Sequence, residues 1–146
     1  MVRISGLFRT TESSGWKTRK GGYERELDIV AFHPEKHHLV QVEPSTDADT
    51  WAVRETRYSK KFAAGKRYIP DLLQSMNPPE QIDQIALLVY GSTWSRTTVG
   101  GGKIQTGKDF LLEIRDGIRS TRIERSAVPE QFPILKGLQF AAQFWT

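Results

Sequence analysis

The sequence predicts an α/β domain in which helices flank a mixed central sheet of about four to five strands. Three observations carry that expectation. Residues 16–43 are rich in β-branched and aromatic residues broken by turn signals. The run IDQIALLVYG is nearly continuous in apolar residues, which suits a strand covered on both faces. The crossover from residue 39 to residue 90 has helical character in its middle, and strand–helix–strand connections of that length favour parallel pairing. At 146 residues the chain reads as one domain, 1–146, with a single core and no internal linker.

The elements follow in order. GWKTRK, a Gly21-Gly22 turn and YERELDIVAF form two paired strands closed by His33-Pro34. After the polar turn EKHH, LVQVE is a short strand stopped by Pro44, which has no N–H for a ladder. STDADT supplies helix caps, and residues 51–64 then read as helix. On a 100° wheel Trp51, Ala52, Tyr58, Phe62 and Ala63 share one side, with Arg54, Arg57, Lys60 and Lys61 opposite. Pro70 and Pro78-Pro79 break the chain before the apolar strand. A Gly-rich loop at 100–102 precedes a helix over KDFLLEIRDGI, and a last helix runs from Glu130 to Phe144 with Pro133 in its first turn.

Twenty-one Lys+Arg against 17 Asp+Glu leave a net charge of +4, a mild bias toward polyanions with nucleic acid first among them. The absence of cysteine excludes disulfides, thiol nucleophiles and thiolate zinc sites. No apolar run has the length of a membrane span and no signal-peptide block is evident, so a cytoplasmic protein without a membrane partner is expected.

Side chains alternate along a strand, so Glu26 and Asp28 share a face of one strand, and Gln41 and Glu43 share a face of the next. Three carboxylates and an amide converging near Pro44 would make an oxygen-rich pocket of the kind Mg2+ or Mn2+ prefers. The alternative is a set of ordinary polar positions on a half-solvated sheet face, paired with Arg25 or Arg19. His33, His37 and His38 at a hairpin tip read as exposed turn residues. GKIQTGK at 102–108 matches part of a phosphate-binding loop, but Asp109 stands where a metal-binding hydroxyl would be needed, so a mobile loop is expected there.

On Glu26-Leu27-Asp28-Ile29-Val30-Ala31, Leu39-Val40-Gln41-Val42-Glu43 and the basic helix that follows, the chain resembles the PD-(D/E)xK nuclease superfamily, from about Trp16 to Tyr90. The resemblance implies a three-layer, restriction-endonuclease-like core. It also implies a site in which Asp28 is a metal ligand, Gln41 takes the carboxylate place, Val42 offers its carbonyl and Glu43 takes the lysine place; by the strand spacing, the metal is expected on Asp28, Glu43 and either Glu26 or Glu55. Gln41 and Glu43 depart from the usual carboxylate and lysine. Some restriction enzymes of the superfamily use a carboxylate on the following helix instead. Glu55, twelve residues past Glu43 and about 40° into the apolar arc of the wheel, is the candidate here, or else a structural acid satisfied by an Arg such as Arg25. Other branches have Gln-x-x-x-Tyr on this helix, of which only Tyr58 is kept.

The implied activity is Mg2+- or Mn2+-dependent DNA endonuclease hydrolysis of phosphodiester bonds, restriction- or repair-like. Asp28, Gln41, Glu43 and Glu55 would be catalytic, and Arg54, Arg57, Lys60, Lys61 and Tyr58 would contact DNA. The alternative is a catalytically degenerate nuclease-fold module that binds DNA or a protein partner. A homodimer is compatible with either.

Overall fold

The computed structural model describes residues 27–90, 95–119, 123 and 127–144. It is an α/β protein with a five-stranded mixed sheet and three helices. The strands are β1 (Ile29–His33), β2 (His38–Ser45), β3 (Asp83–Leu88), β4 (Thr98–Val99) and β5 (Gly102–Thr106), and the helices α1 (Trp51–Leu72), α2 (Gly107–Arg119) and α3 (Pro133–Phe144). The strand order is β1-β2-β3-β5-β4. The first expected strand, over 16–20, lies outside the described residues, as does the start of the second.

β1 and β2 form an antiparallel hairpin turned at His37, which adopts a left-handed φ of 49°. The β2–α1–β3 crossover gives parallel pairing with Val40 beside Asp83, as the long connection predicts. β3 sits mid-sheet, parallel to β2 on one side and β5 on the other, which accounts for its apolar run.

β2 does not stop at Pro44. The Ser45 carbonyl accepts from the Val89 N–H at 3.0 Å, so the main chain at Ser45 faces β3. By strand alternation Pro44 faces the other side, beyond the paired end of β1, and its missing N–H costs no ladder bond.

α1 likewise runs past the expected end at residue 64 and through Pro70 to Leu72. Its buried positions Arg54, Tyr58, Phe62, Gly65 and Ile69 keep a spacing of three or four residues over the whole length, and Pro70 falls in the last turn, where few backbone bonds remain to lose. The N-cap is Thr50, whose hydroxyl accepts from the Val53 N–H at 3.5 Å.

The expected mobile loop at 100–108 is instead the β4–β5 hairpin followed directly by α2. Gly100 and Gly101 form its two-residue turn with φ values of 59° and 84°, the pair of positive angles that a tight hairpin demands. Glycine is required at position 100 for a second reason: a Cβ there would lie 2.4 Å from the Ser59 nitrogen, because the turn rests on α1. Tyr58, Phe62, Ala86, Leu88 and Val99 form the core cluster, with Trp51 and Ile104 packed against it.

The chain divides into two compact units at Gly107. One carries the sheet and α1. In the other, α3 buries Gln139 and Ala142, and the Gln139 side-chain oxygen accepts from the Val128 N–H at 2.8 Å. Among the described residues no helix is long and apolar enough to cross a membrane.

Candidate functional site

The β1–β2 register pairs Ile29 with Val42, so the next position sets Asp28 directly across from Glu43. Two carboxylates facing each other across antiparallel strands repel, and Glu43 is fully buried. A cation resolves the conflict: the Lys61 ammonium, reaching from α1, donates to Asp28 Oδ2 at 2.6 Å and to Glu43 Oε2 at 2.7 Å. Burial pushes the Glu43 carboxyl above its ordinary value and the bond to Asp28 adds to the rise, while Lys61 and Gln41 pull it back. Burial also works against the Lys61 charge, but the two carboxylates outweigh it and hold the ammonium above its ordinary pKa.

Behind this triad lies a buried amide network. Gln41 donates to Glu43 Oε1 at 2.8 Å and to the Lys61 carbonyl at 3.3 Å. Gln84 on β3 donates to Gln41 Oε1 and to the Phe62 carbonyl, both at 2.8 Å. Gly65 makes room for it, since a Cβ there would come within 1.9 Å of Gln41 Oε1. The network fixes the rotamer of Glu43 and ties β2, β3 and α1 to one geometry. Tyr58, its hydroxyl pushed up by burial, donates to the Glu43 carbonyl at 3.3 Å.

Beside Lys61 a cleft of about 180 Å³ is lined by Pro44, Ser45, Asp47, Arg57, Tyr58 and Lys61. Arg57 donates through Nη1 to Asp47 at 2.5 Å and Asp49 at 2.8 Å, and through Nη2 to Ser45 Oγ at 2.7 Å.

The structure therefore brings together Asp28, Gln41, Glu43, Tyr58 and Lys61 from the residues singled out in the sequence, with Arg57 at the edge. Glu55 is not among them. It is exposed, on the outer side of α1, which corrects its placement in an apolar arc. Arg54 also departs from the expected outer basic face: it is 4% exposed, donates to the Asp47 carbonyl at 2.9 Å and lies 5.0 Å over the Trp51 ring. The wheel misplaces both because it assumes an apolar inner side, whereas Arg54 is accommodated there by the Asp47 carbonyl and the Trp51 ring while Ala52 and Ala63 are left exposed. Lys60 is exposed. Val42 is buried mid-strand between Ile29 and Ile85, and the alternation that turns Ser45 toward β3 turns the Val42 carbonyl toward β1, inside the sheet. Glu26 lies outside the described residues.

Sequence reasoning gave Lys61 only a phosphate contact and gave Ser45 and Gln84 no part. The signal that could have found Lys61 is its position ten residues after Trp51, which puts it about 80° from Trp51 and about 60° from Tyr58 rather than on the far side. At the hairpin tip His38 pairs with Asp83 at 2.7 Å. Among the described residues no three His, Asp or Glu side chains gather as a metal site, so Asp28 and Glu43 are the acid pair of the triad without a third. Their hard oxygens suit Mg2+, which takes one or two carboxylates and completes its shell with water and phosphate oxygens. Compared with known proteins, the chain matches no family model, no curated protein and no solved structure.

Proposed function

We propose that the chain is a divalent-metal-dependent DNA endonuclease of the PD-(D/E)xK kind, hydrolysing phosphodiester bonds at Asp28, Glu43 and Lys61. The observation that supports this reading is the pair of carboxylates set face to face at the end of β1 and β2 and spanned by one amine from α1. Asp28 and Glu43 would hold Mg2+ or Mn2+. When bound, the metal would acidify a water and stabilise charge gathering on the phosphate. The residues correspond to the superfamily pattern two positions further along β2 than the sequence alone suggests. Glu43 takes the carboxylate place, Ser45 stands where a strand lysine is usual, and Lys61 supplies the amine from the helix. Gln41 is then no ligand, because its amide is spent on Glu43, Gln84 and the α1 backbone. Lys61, charged at neutral pH and partly open to water, can hydrogen-bond a phosphate oxygen or orient the attacking water once a metal relieves it of the carboxylates. Arg57 and Lys60 would hold the flanking backbone without reading bases.

The test is nicking of supercoiled plasmid in Mg2+, Mn2+ and EDTA. The parent should nick only with metal, Asp28→Asn and Glu43→Gln should lose at least about 100-fold, and Glu55→Gln should match the parent. A parent that binds DNA but nicks with no divalent ion overturns the enzyme reading in favour of a binding module. Full activity in Asp28→Asn removes this site from the chemistry.

A further inference from the structure

The cleft beside Lys61 already contains an anion, and it belongs to the protein. Asp47 Oδ2 receives Arg57 Nη1 at 2.5 Å and the Ser45 hydroxyl at 3.4 Å, so an N–H and an O–H converge on one oxygen position inside the cleft. Ser45 is nearly buried, and its Oγ also accepts from Arg57 Nη2 at 2.7 Å and from the Asp47 N–H at 3.2 Å. The receiving groups are thus fixed in orientation before any ligand arrives. The carboxylate is not fixed in the same way: the Asp47 side chain is 59% exposed, while its backbone is held by Ser45 Oγ and by Arg54 at 2.9 Å. A rotation of the side chain alone empties the position and leaves the loop in place. Lys61 lines the same cleft, with its ammonium held by Asp28 and Glu43.

We propose that the cleft formed by Ser45, Arg57 and Lys61 is a subsite for a backbone phosphate of nucleic acid, and that Asp47 is an internal stand-in which the phosphate displaces. The subsite deepens the nuclease reading, on which it rests for the identity of the ligand, by placing one phosphate beside the Asp28–Glu43 pair. Asp49 keeps its bond to Arg57 at 2.8 Å and so continues to orient the guanidinium after the exchange. Arginine suits the role because its planar guanidinium holds Ser45 Oγ through Nη2 and Asp49 through one Nη1 hydrogen while the other Nη1 hydrogen is aimed at the anion, a division of fixed directions that an ammonium lacks. The exchange has a consequence for specificity: a ligand without an anionic group at this spacing has nothing with which to compete for Arg57.

The experiment measures binding of a labelled DNA duplex in EDTA by fluorescence anisotropy, so that no cleavage occurs, with thermal melts reporting the fold of each variant. Removing the competitor in Asp47→Asn should tighten binding about two- to fivefold, the range of an exposed ion pair. Glu80→Gln removes the same formal charge from another exposed site and serves as the control, with a smaller gain expected. In an Arg57→Lys background, which retains the charge but loses the fork, the Asp47→Asn gain should vanish. Arg57→Gln should weaken binding and lower the magnitude of the salt slope by about 1. Inorganic phosphate should compete with the duplex more effectively in Asp47→Asn than in the parent. The subsite is overturned if Asp47→Asn gains no more than Glu80→Gln, or if its gain persists in folded Arg57→Lys. If the swap occurs and the parent never nicks DNA, the subsite stands and the nuclease reading falls. If nicking depends on Asp28 while Asp47→Asn changes nothing, the reverse holds.

Discussion

Replacing Lys61 with Met removes the ammonium from between Asp28 and Glu43 while keeping the length of the side chain. Breaking one partner from a fully buried pair costs about 3–5 kcal/mol, because a charge is left without compensation. The Lys61 and Asp28 side chains are 29% and 26% exposed, so water offsets roughly a quarter of that, leaving about 2–4 kcal/mol at neutral pH. The pH dependence gives the sharper test. In the parent, burial holds the Glu43 carboxyl above 4.5, so between that value and its folded pKa the native state binds a proton that the unfolded chain has released. Stability from this group is present at the acid end of the window and declines as pH rises through it. Lys61→Met deletes both of the influences by which Lys61 lowers Glu43, so the window widens upward. At the acid end a protonated Glu43 donates to Asp28 and needs no cation. Urea unfolding followed by tryptophan fluorescence should therefore show a deficit of about 2–4 kcal/mol near pH 8 that narrows as the pH is lowered toward 4.5. Adding Glu43→Gln should recover most of the loss near pH 8. A variant as stable as the parent near pH 8, or a deficit that does not narrow at lower pH, would refute the claim that Lys61 neutralises the two acids.

The remaining expectations separate structural cations and glycines from those that face ligand. Gly100→Ala, strained at φ 59° and pressed on the Ser59 backbone, should lose about 2–4 kcal/mol, whereas Gly101→Ala, with open space around it, should lose only about 1 kcal/mol by the same unfolding measurement. Arg54→Gln should lower the melting temperature and leave the salt slope of DNA binding unchanged, since Arg54 is buried; Lys60→Gln should do the opposite, cutting the slope magnitude by about 0.9. Glu55→Gln, at an exposed position, should change unfolding free energy by no more than about 0.5 kcal/mol.

Local rules served where the neighbours are generic. The apolar run at 82–91 marks β3 because a central strand paired on both edges buries most of its side chains, and the long connection fixes its parallel pairing with β2. They failed where a neighbour is specific. Proline in β2 and in α1 reads as a stop, yet at Pro44 the missing donor points past the end of β1, and at Pro70 it falls in the last helical turn. Glycines 100–102 read as a loop, yet they form a hairpin turn and a strand start that lie against α1.

The same division runs through the site. Alternation along a strand is a local property, so the sequence by itself determined that Asp28 belongs to one strand face and that Gln41 and Glu43 share another, and it determined that a cation-rich helix follows. Which side of that helix turns inward is not local. The wheel assumes that the inner face is apolar, but the inner face is whatever complements its neighbours: Lys61 meets a buried carboxylate with two amides behind it, and Arg54 meets the Asp47 carbonyl and the Trp51 ring. Only the tertiary structure decided that Lys61 and Arg54 point in and Glu55 points out. It also decided that Gln41 is a strut and that Ser45 meets Arg57, because those partners lie between 12 and 43 residues apart along the chain and are joined only when α1 crosses the sheet.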